Sequence, residues 1–179
     1  TEPTSVAARQ VLLGEAQGVA EQFRYIDGQL RGLDTENGAQ VGIETGEINA
    51  LASGIARLNR EITSGIGATG QPPNDLLDQR DRLTDQLSGK IGVTVVPQDN
   101  AVLNVFIGRG QALVLNETAS TLGASPDPYD GGGTRVSLSG NQGTVDITAS
   151  VTGGDLGGLL DFRSHVLDPA RNDLRGLAA

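Results

Sequence analysis

The chain has 179 residues, a formal net charge of −9, 3% aromatic residues, one histidine and no cysteine. This length suits one sizeable domain, or a domain with a small appendage. The negative charge argues against nucleic acid and anionic membranes, because both require a basic surface, and no apolar run is long enough for a membrane span. Without cysteine, and with only His165, the usual disulfides and zinc sites are excluded.

Residues 6 to about 62 contain no proline and carry apolar residues in steps of three and four. This heptad seam predicts a coiled-coil-like helix on the order of 80 Å long, which needs a partner along much of its length. Successive steps of four around Asn37 mark a stutter in the seam. Glycines weaken the pattern, so the helix either breaks near residues 38–46 or allows close approach of another helix there. The apolar seam positions include Leu12, Val19, Ile26, Leu33, Val41, Ile48, Ile55 and Ile62.

A second, shorter helix follows the Gly/Pro-rich loop at about residues 64–74, "SGIGATGQPPN". Asn74 is its expected N-cap, and Gly89 is the expected stop. One face of this helix carries Leu76, Arg80, Leu83 and Leu87.

Between residues 91 and 152 the period of the pattern changes from about 3.6 to 2, which predicts strands. These expected strands are joined into one small antiparallel sheet, with an exposed loop at 123–133 and hairpin turns at 108–111 and 140–143. The expected strands are 92–98, 101–107, 112–115, 134–139 and 144–150.

The helical period returns at Asp155, and Pro169 is expected to kink this helix or to make Asp168 the cap of a new one. The fold class is therefore α+β, an elongated antiparallel helical bundle with a small antiparallel β subdomain. Residues 1–90 and 153–179 form the predicted helical rod, and residues 91–152 are the inserted β subdomain. The predicted structural core comprises Leu76, Leu83, Leu87, Leu156, Leu160, Leu167 and Leu174.

The acidic residues between 75 and 85 are the first candidate for chemistry, since a hydrolase could use clustered carboxylates. General acid–base catalysis needs two carboxyl groups in different environments, normally brought together from separate elements. A single helix supplies no such apolar pocket, so these acids are expected to face solvent or a partner. The hydrolase remains the alternative function from a different class.

Two further patterns are weaker. Asp127 and Asp130 precede glycines, but the alternating ligands of a calcium loop are missing. Ser164, His165 and Asp168 contain the residue types of a triad without the geometry, because neighbouring residues point about 100° apart on a helix. We therefore predict no catalytic, cofactor or metal site.

Two stretches resemble the flagellar hook-associated protein 1 family, the hook–filament junction proteins of bacterial flagella. Residues 72–115 contain N-D-L-L-D-x-R-D-x-L and N-V-x-I-G-x-G-Q-x-L-V-L, and residues 153–178 contain G-G-x-L-G-G-L-L-D-F-R. The motifs are long and follow the order of the family. The alternatives are another flagellar axial protein, such as a flagellin relative, and a coiled-coil signalling or adhesin segment that dimerises through residues 6–62.

The resemblance implies a structural subunit without catalysis or cofactor, exported by the flagellar type III apparatus to an extracellular flagellum. Its implied partners are copies of itself, hook protein and the next hook-associated protein. An export chaperone is expected on terminal core segments missing from this chain, which should itself be monomeric. The expected subunit contacts are Asp78, Arg80, Asp81, Arg82, Asp99, Asn100 and Arg109.

Overall fold

The computed structural model describes residues 6–128, 133–141 and 143–178, except for the side chains of Ala7, Thr69, Asn100 and Ala178. Helices occupy both ends of the chain and strands lie between them, which confirms the predicted α+β class. In this described part, no helix combines the length and apolar character needed to cross a membrane. The helices are α1 (Val6–Thr69), α2 (Asn74–Lys90), α3 (Gly154–Phe162) and α4 (Asp168–Ala178). The strands are β1 (Val93–Pro97), β2 (Leu103–Ile107), β3 (Gln111–Leu115), β4 (Thr118–Ala119), β5 (Thr121–Pro126), β6 (Thr134–Gly140) and β7 (Gly143–Asp146).

Helix α1 runs through residues 38–46 without a break. At Gly38 the missing side chain allows close approach, since a Cβ atom there would lie 2.7 Å from the Thr134 hydroxyl of β6. The predicted end near residue 62 is wrong, because the helix continues to Thr69. Gly70 ends it in the left-handed region (φ 76°), with its N–H donating to the Ile66 carbonyl.

Helix α2 begins and ends one residue away from its predicted caps. Pro73, rather than Asn74, is the extended residue before the helix, and its carbonyl accepts the N–H groups of Leu76 and Leu77. At the other end Lys90 is the last helical residue, not Gly89. The predicted side-chain cap by Asn74 is therefore absent, because these N–H groups make backbone bonds to the carbonyl of Pro73.

The strands form two antiparallel sheets instead of the single sheet predicted. One has the order β1-β2-β3-β4 and the other β5-β6-β7. Residues 123–126, expected in a loop, belong to β5, which pairs with β6 over its whole length. Cross-strand pairing therefore makes a strand of a Gly-Ala-Ser-Pro run that has no alternating pattern.

Strand β7 is shorter than predicted, and the helical region after it contains an unexpected π turn. The Asp146 carboxylate accepts the N–H of Thr148 at 2.9 Å, and a 3-10 turn replaces the rest of the predicted strand. Between α3 and α4, residues 163–167 form a π turn in which the Asp168 N–H donates to the Arg163 carbonyl. Asp168 itself has helical backbone angles, so α4 starts there without a separate cap.

The hydrophobic core lies between the second half of α1, helices α2 and α3, and the inner faces of both sheets. Leu76, Leu83 and Leu174 of the predicted core are half-buried. The fully buried members of that predicted set are Leu87, Leu156, Leu160 and Leu167.

Two asparagine side chains of α1 attach the sheets to the helix. Asn59 is 0% exposed. Its Nδ2 donates to the carbonyls of Leu103 and Asn116 at 2.8 and 2.6 Å, while its Oδ1 accepts the Leu103 N–H. Asn49 bonds in the same way to both backbone groups of Leu122 in β5. Each amide takes the place of a neighbouring strand residue, because it offers one donor and one acceptor side by side.

Lys90 joins three helices at the end of α2. Its Nζ lies 2.8 Å from Glu47 and 3.1 Å from the buried Glu44, both of α1, and 3.3 Å from Asp155 of α3. Hydrogen bonds to Glu47 and Glu44 raise the pKa of Lys90 above its ordinary value. The ammonium group therefore stays charged and holds α1, α2 and α3 in fixed register.

We predict that Asn59→Ala lowers the free energy of unfolding by roughly 2–4 kcal/mol, because it strands two carbonyls and an N–H in the core. Asn172→Ala, at an exposed site on α4, is the matched control and should change it by less than about 0.5 kcal/mol. Urea unfolding of both variants measures the difference. Equal losses of unfolding free energy in the two variants would contradict the role of Asn59 in holding the sheet to α1.

We also predict that Lys90→Gln destabilises the fold at neutral pH. Since the folded pKa of Lys90 is raised, its contribution is complete below the ordinary lysine pKa of about 10.4 and is lost as the pH rises further. The gap in urea midpoint between wild type and Lys90→Gln should therefore narrow when the pH is raised from neutral to strongly alkaline. Arg82→Gln, at an exposed position of α2, should have the same urea midpoint as wild type at both pH values.

Candidate assembly surfaces

The first half of α1 carries an exposed apolar stripe, which we call the open seam (Leu12, Val19, Ile26 and Leu33). Leu12, Val19 and Ile26 are 67%, 56% and 37% exposed, and Leu33 is 44% exposed. Residues seven apart return to nearly the same side of a helix. Large aliphatic side chains aligned on one helix face are typical of an interaction surface.

The second half of α1 carries another apolar stripe with the same seven-residue spacing, shifted by one residue, and this stripe is buried. Val41, Ile48, Ile55 and Ile62 are again seven apart, and all are 0% exposed. The step from Leu33 to Val41 is eight residues, a turn of about +80°, which cancels the drift of about −20° that each seven-residue step adds. Leu12, Val19 and Ile26 therefore lie about ten full turns before Ile48, Ile55 and Ile62, and the stutter keeps both stripes on one side of α1, open in the first half and covered in the second.

The covered half starts where α3 and α4 reach α1. Asp34 accepts a hydrogen bond from Arg171 at 3.1 Å, and both side chains are nearly buried. Asn37 donates to the Leu159 carbonyl. The sequence predicts a partner along much of α1. Among the described residues, this cover begins at Asp34 and extends over the second half of the helix.

The outer face of α2 carries three of the predicted contact residues. Asp78, Asp81 and Arg82 are exposed. The assignment of Arg80 to this surface is wrong, because Arg80 is buried and its guanidinium donates to the carbonyl of Ala101. Burial lowers the pKa of Arg80, and the nearby Asp81 carboxylate counteracts this.

The remaining predicted contacts lie at opposite ends of β2. Asp99 is exposed in the 3-10 turn before β2, and Arg109 is exposed in the hairpin turn after it. The side chain of Asn100 lies outside the described residues. The 3-10 turn of Asp99 is attached to α2 by the buried bond from Arg80 to the carbonyl of Ala101.

The candidates for chemistry are not assembled into a site. The Nδ1 atom of His165 lies 3.0 Å from the Ser164 hydroxyl and 2.8 Å from the Asp161 carboxylate. A triad needs its two ring nitrogens on different partners, so this contact is a surface interaction. Asp127 pairs with Arg135 at 3.3 Å, and Asp130 lies outside the described residues.

No group of three or more His, Cys, Asp or Glu side chains in the described part is arranged to hold a metal ion. The carboxylates of Asp78 and Asp81 are exposed on one helix. They do not face a second carboxyl group in an apolar pocket, which a hydrolase would need.

Sequence reasoning missed the roles of Asn49, Asn59 and Lys90. One signal was available for Asn59, which lies four residues after Ile55 and three before Ile62. A polar residue between two positions of an apolar face is a candidate for a buried hydrogen-bond anchor. Which carbonyls it bonds depends on chain segments more than 40 residues away.

The whole chain, residues 1–179, matches the family described as flagellar hook-associated protein FlgK, helical domain. Flagellar hook-associated protein 1 of Escherichia coli (strain K12) is 40% identical over 176 residues, which cover 96% of this chain and 32% of the relative. The Salmonella typhimurium protein of the same name is 42% identical with the same coverage. The resemblance stated from the sequence motifs is therefore confirmed.

The fold is also similar to a solved structure, that of the flagellar hook junction protein FlgK from Burkholderia pseudomallei. The match has a TM-score of 0.83 at 36% identity and covers 95% of this chain and 31% of that chain. This chain thus spans about a third of the length of the relatives it matches.

Proposed function

Because this chain belongs to the FlgK family of flagellar hook-associated proteins, we propose that it is the helical region of a structural subunit that joins hook to filament. The single observation that carries this proposal is the open seam, an apolar helix face beside an otherwise packed body. Burying one large aliphatic side chain contributes about 1.5–3 kcal/mol, so a helix packed along the seam would be held firmly.

The boundary of the cover near Asp34 divides α1 into two parts. After it the apolar face packs on the body of this chain, and before it the same face has no cover among the described residues. A partner helix can therefore pack on the seam without disturbing the core. We propose that this partner is another helix of the flagellar tube, contributed by the rest of the protein or by a neighbouring subunit.

Polar residues would set the register of subunit contacts. Asp78, Asp81 and Arg82 on α2, together with Asp99 and Arg109, are exposed and bear charge. Charged groups at the rim of an interface direct orientation more than they add affinity. The proposed partners are copies of the protein, hook protein and the next hook-associated protein.

The proposed location is the extracellular flagellum, after export by the flagellar type III apparatus. A chaperone is proposed to bind segments outside this chain. We propose a purely structural role without catalysis, which membership of the family and the exposed carboxylates of Asp78 and Asp81 support.

The coiled-coil alternative predicts that the isolated chain dimerises through residues 6–62. In the covered half, those seam positions pack against this chain's own α2, α3 and sheets. Only the open seam is left exposed for dimerisation with a second copy. Its four apolar positions would give a contact of only three heptads. We expect the isolated chain to sediment as a monomer.

We predict that Val19→Asp in the full-length protein blocks filament attachment and leaves the stability of the isolated chain unchanged, because Val19 is exposed in the monomer. Gln17→Asp is the matched control, since residue 17 points to the other side of α1. Swimming assays and urea unfolding measure the two effects. A swimming strain carrying Val19→Asp would contradict the role of the seam.

A strain that lacks the full-length protein should form hooks without filaments and release flagellin monomers into the medium. Electron microscopy of hooks and immunoblots of the medium measure both. Wild-type protein supplied on a plasmid should restore filaments, and so should Gln17→Asp. Normal filaments in the deletion strain would overturn the junction role.

A further inference from the structure

A groove of about 970 Å³ separates the β6–β7 hairpin from the β3–β4 hairpin. Two large aliphatic side chains border it, Val145 of β7 at 54% exposure and Leu115 of β3 at 48%. Leu138, directly opposite Val145 in the neighbouring strand, is buried and forms part of the lining. Half-exposed aliphatic groups in a concave surface favour occupation by an apolar group of a partner.

Strand β7 borders the same groove with an open backbone edge. Among the described residues no strand lies beyond it, and all four of its residues are exposed. In the β6–β7 ladder Gly140 pairs with Gly143 and Leu138 with Val145. The Ile147 N–H continues the ladder to the Val136 carbonyl. Because hydrogen-bonded pairs alternate along an antiparallel ladder, the N–H and C=O groups of Thr144 and Asp146 point away from β6.

The groove is lined by acidic residues, of which Glu117 is paired with Arg60 of α1 at 3.5 Å. Among the described residues that line it, the charged ones are Asp99 and Glu117, both acidic. Asp146, at the end of the open edge, is paired with Arg135 at 3.3 Å. Hydrogen bonds from the hydroxyl and N–H of Thr148 lower the pKa of Asp146, so this group is ionised at neutral pH. An occupant that complements this surface carries lysine or arginine.

We propose that this groove binds an extended, cationic segment of another polypeptide, which adds to β7 as an extra strand. The outward groups of Thr144 and Asp146 pair with its backbone, and alternate side chains face the groove. An aliphatic side chain of the segment lies between Val145 and Leu115, and a cation lies near Asp99 or Glu117. This proposal is independent of the open seam, which lies on the other half of the molecule.

The test uses the 179-residue chain labelled with ¹⁵N and the synthetic peptide acetyl-VTVTKTV-amide, whose odd positions share one face. Amide shifts should saturate at about millimolar peptide and map to residues 112–120 and 143–146. The peptide acetyl-VTVTETV-amide should bind roughly tenfold more weakly, because its carboxylate meets acidic groups. Absence of saturable shifts, or equal affinity for both peptides, would overturn the proposal.

Matched variants separate the groove from the remaining surface. Val145→Ser should weaken binding by roughly fivefold, whereas Val166→Ser, at a similarly exposed position (50%) of the π turn, should not. Thr144→Pro should abolish binding, since it removes an outward N–H. Thr144→Val loses the same hydroxyl bond to Ser139 of β6 but keeps that N–H, so it is the control and should still bind. Wild-type affinity of the Val145→Ser variant for the peptide would contradict binding in the groove. Self-association of the chain that Thr144→Pro abolishes would show that the occupant is a second copy instead.

Discussion

Helix α1 is 64 residues long, and a helix of this length is not held by its own backbone hydrogen bonds alone. Most helical stability in proteins comes from packing of one face against other elements. The rest of this structure is arranged to meet that constraint along the second half of α1, where Val41, Ile48, Ile55 and Ile62 are completely buried. The first half has no such cover among the described residues, and this difference is the reason why we propose the open seam as a surface for assembly.

The contact between a helix and two small sheets raises a second problem, because strand edges expose polar backbone groups. Apolar packing alone would leave these groups without partners at a dry interface. Asn49 and Asn59 solve it by presenting a donor and an acceptor to Leu122 and Leu103. Buried Arg80 completes the arrangement at the carbonyl of Ala101. The sheets are therefore oriented by hydrogen bonds and stabilised by the aliphatic core.

The architecture suits a subunit of a tube. Lys90 joins three helices, and Asn49 and Asn59 anchor the sheets to α1. The surfaces that we propose for interaction lie outside this packed body, on the open seam, on the outer face of α2 and along β7. Because the cover of α1 begins at Asp34, binding on the seam and packing of the core would involve successive segments of one helix.

The sequence by itself determined the α+β class, the long helix with its stutter, α2, the C-terminal helix and most strands. These follow from local periodicity, which neighbouring residues impose regardless of distant contacts. It also determined the family, through long motifs. Only long-range contacts determine that β5 is a strand, that there are two sheets and that Arg80 is buried. Each of these depends on partners far along the chain, such as the pairing of β5 with β6 or the carbonyl of Ala101, and a local pattern carries no information about which distant groups will meet.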